Sequence, residues 1–158
     1  MNLRSSLFRF TAASALAVVL AAGSALAARD WVNRPVLDAA EEMLAAMPDG
    51  YYTIKPVPAA EAMTAEDIFV VDVREPMEFE AEHIAGAENI PIRKLAALID
   101  MLPKEKDDPI VIYCRTGHRA AVGLSILKML GYTNVRSISG GLEAWKATGL
   151  PVAEFGFL

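Results

Sequence analysis

Two apolar runs limit this chain more than any other feature. Ile68-Phe69-Val70-Val71-Asp72-Val73 and Ile110-Val111-Ile112-Tyr113 are apolar at nearly every position. A strand with one face in water alternates polar and apolar residues; continuous runs mark strands buried on both faces, as in parallel sheets covered by helices. The segments around them carry helix signals. Pro35 opens a pattern with Val36, Leu37, Ala40, Met43, Leu44 and Met47 on one side, and Pro48-Asp49-Gly50 stops it. Tyr51 to Ile54 reads as a short strand, Pro58 to Met63 as a helical turn, and Pro76 to Glu82 as an acidic helix. Glu88-Asn89-Ile90 is a brief strand ended by Pro91, and Ile92 to Leu102 reads as a helix. Ala120 to Leu130 is a helix closed by Gly131, Val135 to Ile138 a last strand, and Leu142 to Lys146 a last helix. Alternating strands and helices predict an α/β fold: a doubly wound, mainly parallel sheet of about five strands with helices on both faces.

The N-terminus reads differently. Arg4 and Arg9 precede an apolar stretch from Phe10 to Ala22, and Ser24-Ala25-Leu26-Ala27 supplies small residues. That order describes a secretory signal peptide with cleavage after Ala27. The alternative is an uncleaved membrane anchor over Phe10 to Ala28, weakened by Thr11, Ser14, Gly23 and Ser24. The expected organisation is a signal over 1–27, an extension with one helix over 28–50, the α/β domain over 51–154 and a short tail over 155–158. The expected location is export, in the periplasm, with no stable membrane insertion after processing. Loss of Arg4 and Arg9 shifts the net charge from −5 to about −7, and an acidic chain without a Lys/Arg block argues against nucleic-acid binding.

Cys114 is the single cysteine, so no disulfide forms within the chain even in an oxidising compartment. It stands where the second apolar run passes into a helix, within Cys114-Arg115-Thr116-Gly117-His118-Arg119. Backbone N–H groups at a helix start lack intrahelical partners and point outward together, which makes an anion cradle. Arg115, His118 and Arg119 add positive charge to the same loop. Gly117 allows the loop to curl without a Cβ clash. The residues describe a thiolate nucleophile at the carboxyl ends of the strands, where open α/β sheets bind ligands. The two histidines offer no metal-ligand spacing, so no metal is assigned.

Four segments in register then resemble one family. Val71-Asp72-Val73-Arg74-Glu75 with Glu78-Phe79, Glu82-His83-Ile84-Ala85-Gly86-Ala87-Glu88-Asn89-Ile90-Pro91, Cys114 to Ala120, and Gly140-Gly141-Leu142-Glu143-Ala144-Trp145 are similar to those of single-domain rhodaneses, which are sulfurtransferases. The resemblance runs from about Thr53 to Val152; Glu82 stands where the family often has glycine. It implies that Cys114 takes the outer sulfur of a donor such as thiosulfate as a persulfide. A thiol or cyanide then accepts that sulfur, without metal or organic cofactor. Arg115, Thr116, Gly117, His118 and Arg119 would cradle the persulfide, with Arg115 meeting the anionic donor. Asp72 and Arg74 would support the loop, Asp72 by pairing with Arg119 and Arg74 at the pocket rim. His83 and Trp145 are expected to be structural.

Two other readings stand beside this one. The fold and nucleophile also serve cysteine-dependent phosphatases and arsenate reductases, whose loop is one residue longer. Here four residues, Arg115 to His118, separate Cys114 from Arg119, a tighter cradle sized for one sulfur. The third reading is a non-enzymatic sulfur carrier that docks on a protein partner through the N-terminal extension.

Overall fold

The computed structural model describes residues Trp31 to Glu154. The signal-peptide segment lies outside the described residues. The chain divides into two compact units after Asp38, and the sheet belongs wholly to the second. Among the described residues no helix is long and apolar enough to cross a membrane.

Five strands form one sheet: β1 (Thr53–Ile54), β2 (Phe69–Asp72), β3 (Glu88–Asn89), β4 (Ile110–Tyr113) and β5 (Val135–Ile138). Their order is β1-β5-β4-β2-β3, and every pairing is parallel. Among the described residues the helices are α1 (Arg34–Ala45), α2 (Pro56–Ala65), α3 (Pro76–Ala81), α4 (His118–Met129) and α5 (Gly141–Ala147). The expected α/β doubly wound sheet of five strands is therefore the observed one. The two apolar runs became β2 and β4, which lie side by side at the centre, with Phe69 opposite Ile110 and Asp72 opposite Tyr113.

Side chains along a strand alternate between faces, and the core divides accordingly. Val71, Val73, Ile110, Ile112, Cys114 and Val135 share one apolar cluster with Ala120, Leu124 and Leu127 of α4. Val70, Val111, Tyr113 and Ile138 share the other with Ala59 of α2 and Leu142 and Trp145 of α5. Both faces of β4 are buried, which is why its sequence shows no polar alternation. Gly123 lets α4 approach the sheet closely: a Cβ there would lie 2.7 Å from the Ile112 side chain.

The main departure from expectation is Ile92 to Leu102. In place of one α-helix there are two 3₁₀ turns, Ile92–Lys94 and Ile99–Met101, separated at Leu98 by φ −108° and ψ 24°. Leu95 and Leu102 are buried, while Ile92, Leu98 and Ile99 pack against the same cluster. Their spacing suits a turn of three residues as well as one of 3.6, so the apolar pattern alone did not separate the two. Helix α2 begins at Pro56, two residues before the expected turn, and ends at Ala65.

Candidate active site

The loop after β4 is built by three neighbours. Cys114 lies at the carboxyl end of the central strand and is 1% exposed. Gly117 adopts φ 102°, turning the chain into α4, and its N–H donates to Cys114 Sγ at 3.2 Å. Among the described residues, none accepts a backbone hydrogen bond from the N–H of Arg115, Thr116, His118 or Arg119. Backbone amides without a backbone acceptor are the kind of group that can receive an anion. Thr116 Oγ1 and His118 Nδ1 lie 3.0 Å apart on its exposed side.

The start of α5 clamps the loop from outside. The Leu142 N–H donates to the Cys114 carbonyl at 2.8 Å, and the Glu143 N–H donates to the Arg115 carbonyl at 3.0 Å. This approach requires glycine at 141, where φ is +61° and an added Cβ would collide with the Cys114 carbonyl oxygen and sit 2.6 Å from that of Arg115. Gly141 thus has a positioning role that its place in a glycine pair did not reveal.

The ion pairs correct one expectation. Asp72 does not meet Arg119. Asp72 is fully buried, and its carboxylate takes the backbone N–H of Arg74 at 2.9 Å, Arg74 Nε at 3.0 and 2.9 Å, and Arg74 Nη2 at 2.7 Å. Arg74 lies in the bend that follows β2, and its N–H and guanidinium both turn back onto the Asp72 carboxylate, so the pair closes without any long-range geometry. Burial works against the Arg74 guanidinium, but the hydrogen bonds and charge of Asp72 outweigh it and leave the group above its usual range. Asn89 Nδ2 donates to the carbonyls of Asp72 and Arg74, both at 3.0 Å, tying β3 to the pair. The Tyr113 hydroxyl accepts the Ile84 N–H at 3.0 Å; burial and the neighbouring Asp72 carboxylate push its ionisation well up.

Arg119 pairs instead with Glu78 of α3, Nη1 to Oε2 at 2.6 Å and Nη2 to Oε1 at 2.9 Å. These bonds outweigh the effect of burial and hold the Glu78 carboxyl at about 2; the Glu75 N–H adds a third bond at 3.1 Å. Glu78 in turn raises Arg119, opposed by burial and aided more weakly by Cys114. Glu78 sits at the third position of a Pro-opened helix, where an acidic residue reads as a cap, so its long-range role had no separate signal.

A cleft of about 550 Å³ lies beside the loop, lined by Arg74, Glu78, Glu82, Arg115, Glu143 and Lys146 among others. Arg115 Nε meets Glu143 Oε1 at 2.6 Å, and Lys146 Nζ meets both Glu82 oxygens at 2.7 and 2.8 Å. Arg74 lines part of this cleft, but it is buried against Asp72, with only 3% of it exposed. His83 is structural: it stacks on Phe79 with ring centroids 4.0 Å apart, its Nδ1 lies 2.9 Å from the Phe79 carbonyl, and its backbone bridges to Ala153. Trp145 is buried, with Nε1 donating to the Pro151 carbonyl at 2.9 Å.

Comparison with known proteins agrees with this geometry. A family model described as the rhodanese-like domain matches residues 56–148. An uncharacterized protein of Synechocystis is 34% identical over 102 residues, 65% of this chain, and the chain spans 56% of that relative's length. The thiosulfate sulfurtransferase GlpE of Pseudoalteromonas translucida is 36% identical over 87 residues, covering 55% of this chain and 81% of its own. The crystal structure of a rhodanese-related protein from Thermoplasma volcanium superposes with a TM-score of 0.59 at 34% identity, covering 65% of this chain and 98% of that one. With a cysteine loop at the end of the central parallel strand and a family match over more than half its length, this chain belongs to the rhodanese-like domain family.

Proposed function

We propose that this protein is a sulfurtransferase that carries a sulfane sulfur on Cys114. The observation that carries the reading is the six-residue loop: one sulfur atom at its floor, a hydrogen bond from Gly117 N–H to that sulfur, and further amides without backbone acceptors around it. In the first step the Cys114 thiolate attacks the outer sulfur of thiosulfate. A Cys–S bond forms, the sulfur–sulfur bond of the donor breaks with its electron pair leaving on sulfite, and Cys114 holds a persulfide anion. In the second step cyanide or a thiolate attacks the terminal sulfur and restores the Cys114 thiolate. Dividing the transfer into two substitutions lowers each barrier. Loop amides aimed at the terminal sulfur stabilise its charge.

The relative named a thiosulfate sulfurtransferase supports thiosulfate as donor, and the N-terminal sequence supports export to the periplasm. The phosphatase reading is the rival on the same fold. The four residues between Cys114 and Arg119 favour sulfur over a tetrahedral phosphate. Thiocyanate production from thiosulfate and cyanide by the purified protein, abolished in Cys114→Ala, is the expected result. Phosphate release from an aryl phosphate, with no thiocyanate formed, would overturn it.

A further inference from the structure

Arg115 leaves the cysteine loop at the rim of the 550 Å³ cleft with its guanidinium already engaged. Glu143 holds it at two points, through the 2.6 Å side-chain ion pair and through the 3.0 Å bond from its own N–H to the Arg115 carbonyl. The cleft's other cations are matched as well, Lys146 by Glu82 and Arg74 by Asp72. An anion that takes the Arg115 guanidinium through its Nε edge must therefore displace the Glu143 carboxylate. The pairs differ in how readily they yield. Arg74 and Asp72 are 4% and 0% exposed, whereas Arg115 and Glu143 are 68% and 53% exposed. An exposed pair is weak and opens easily, while a buried pair opened on one side leaves a stranded charge.

We propose that Glu143 is an internal competitor of the anionic sulfur donor, a specificity-determining carboxylate that occupies Arg115 until a dianion such as thiosulfate replaces it. The identity of the donor rests on the sulfurtransferase reading; the competition itself rests on the Arg115–Glu143 contact. The carboxylate lowers affinity for dianions and leaves little obstacle to donors that do not need Arg115, so its charge helps decide which sulfur compounds the cleft admits. Because the Glu143 N–H also fixes the loop carbonyl, a change confined to the side chain leaves the backbone clamp in place.

The test compares the wild type, Glu143→Gln, Arg115→Ala and the double variant. Two quantities are read: KM for thiosulfate in the thiocyanate assay, and the thiosulfate concentration that half-protects Cys114 from alkylation by iodoacetamide. Glu143→Gln is expected to lower both by about two- to fivefold, the range of an exposed ion pair. Arg115→Ala is expected to raise both, and the double variant to match Arg115→Ala. An unchanged or raised value in Glu143→Gln overturns the proposal. So does a fall of the same size without Arg115, which would mean a general field rather than competition for one guanidinium. If wild type makes no thiocyanate, the sulfurtransferase reading falls, and the protection series still decides the competition. Absence of protection in every variant overturns it.

Discussion

Arg119 and Glu78, 41 residues apart in the chain, face each other through two hydrogen bonds of 2.6 and 2.9 Å. The pair joins the first turn of α4, which carries the cysteine loop, to α3, which follows the neighbouring strand β2. A bidentate guanidinium–carboxylate pair fixes orientation as well as distance, so this contact ties the start of α4 to α3 in one geometry.

Glu78→Gln is expected to destabilise the protein at neutral pH by about 1 kcal/mol, since both partners are about a third exposed and water screens them. The folded-state carboxyl titrates at about 2, below its ordinary 4.5. Its contribution is thus complete above about 4.5 and is lost as pH falls toward about 2. Urea midpoints of the two proteins are expected to differ at pH 7 and to converge near pH 2.

Asp72→Asn strands a buried guanidinium and is expected to cost about 3–5 kcal/mol. Replacing both members, as Asp72→Asn with Arg74→Met, removes the stranded charge and is expected to be milder than Asp72→Asn alone. Equilibrium denaturation of both variants checks the order. A pair serving chiefly the chemistry would leave Asp72→Asn stable and inactive.

Gly141→Ala drives a methyl group into the carbonyls of Cys114 and Arg115. The loop must move by several tenths of an ångström or more, and misplacement on that scale can cost about 10²-fold in rate. Sulfur-transfer kinetics are expected to show a loss of that order, with far-UV circular dichroism still reporting a folded sheet.

Tyr113→Phe removes the acceptor of the buried Ile84 N–H. An amide left unpaired in the core costs about 1–3 kcal/mol. Thermal denaturation is expected to show that loss, and hydrogen exchange at Ile84 to accelerate.

The sequence carried most of the fold because its signals are local. The β2 and β4 runs are apolar on both faces only if both faces are covered, and Cys114 followed by Gly117 and a helix has few backbone solutions. The resemblance added the glycine pair Gly140-Gly141 at the start of α5. The Asp72–Arg74 pair was also within reach, since the two residues are two apart and close on one another in the bend after β2. It was missed because Arg119, a loop arginine, looked like the more needy partner.

What the chain determined by itself was the alternation of strands and helices, the place of Cys114 at a strand end, and the charge of the loop around it. Tertiary structure decided which charges meet. Arg119 takes Glu78 rather than Asp72 because Asp72 is already saturated by Arg74 and α3 brings Glu78 to the loop. Arg115 takes Glu143 because α5 packs its first turn on the Cys114 and Arg115 carbonyls. The physical reason is range. Backbone preference and apolar periodicity act over a few residues, whereas an ion pair depends on where distant elements are carried by the core.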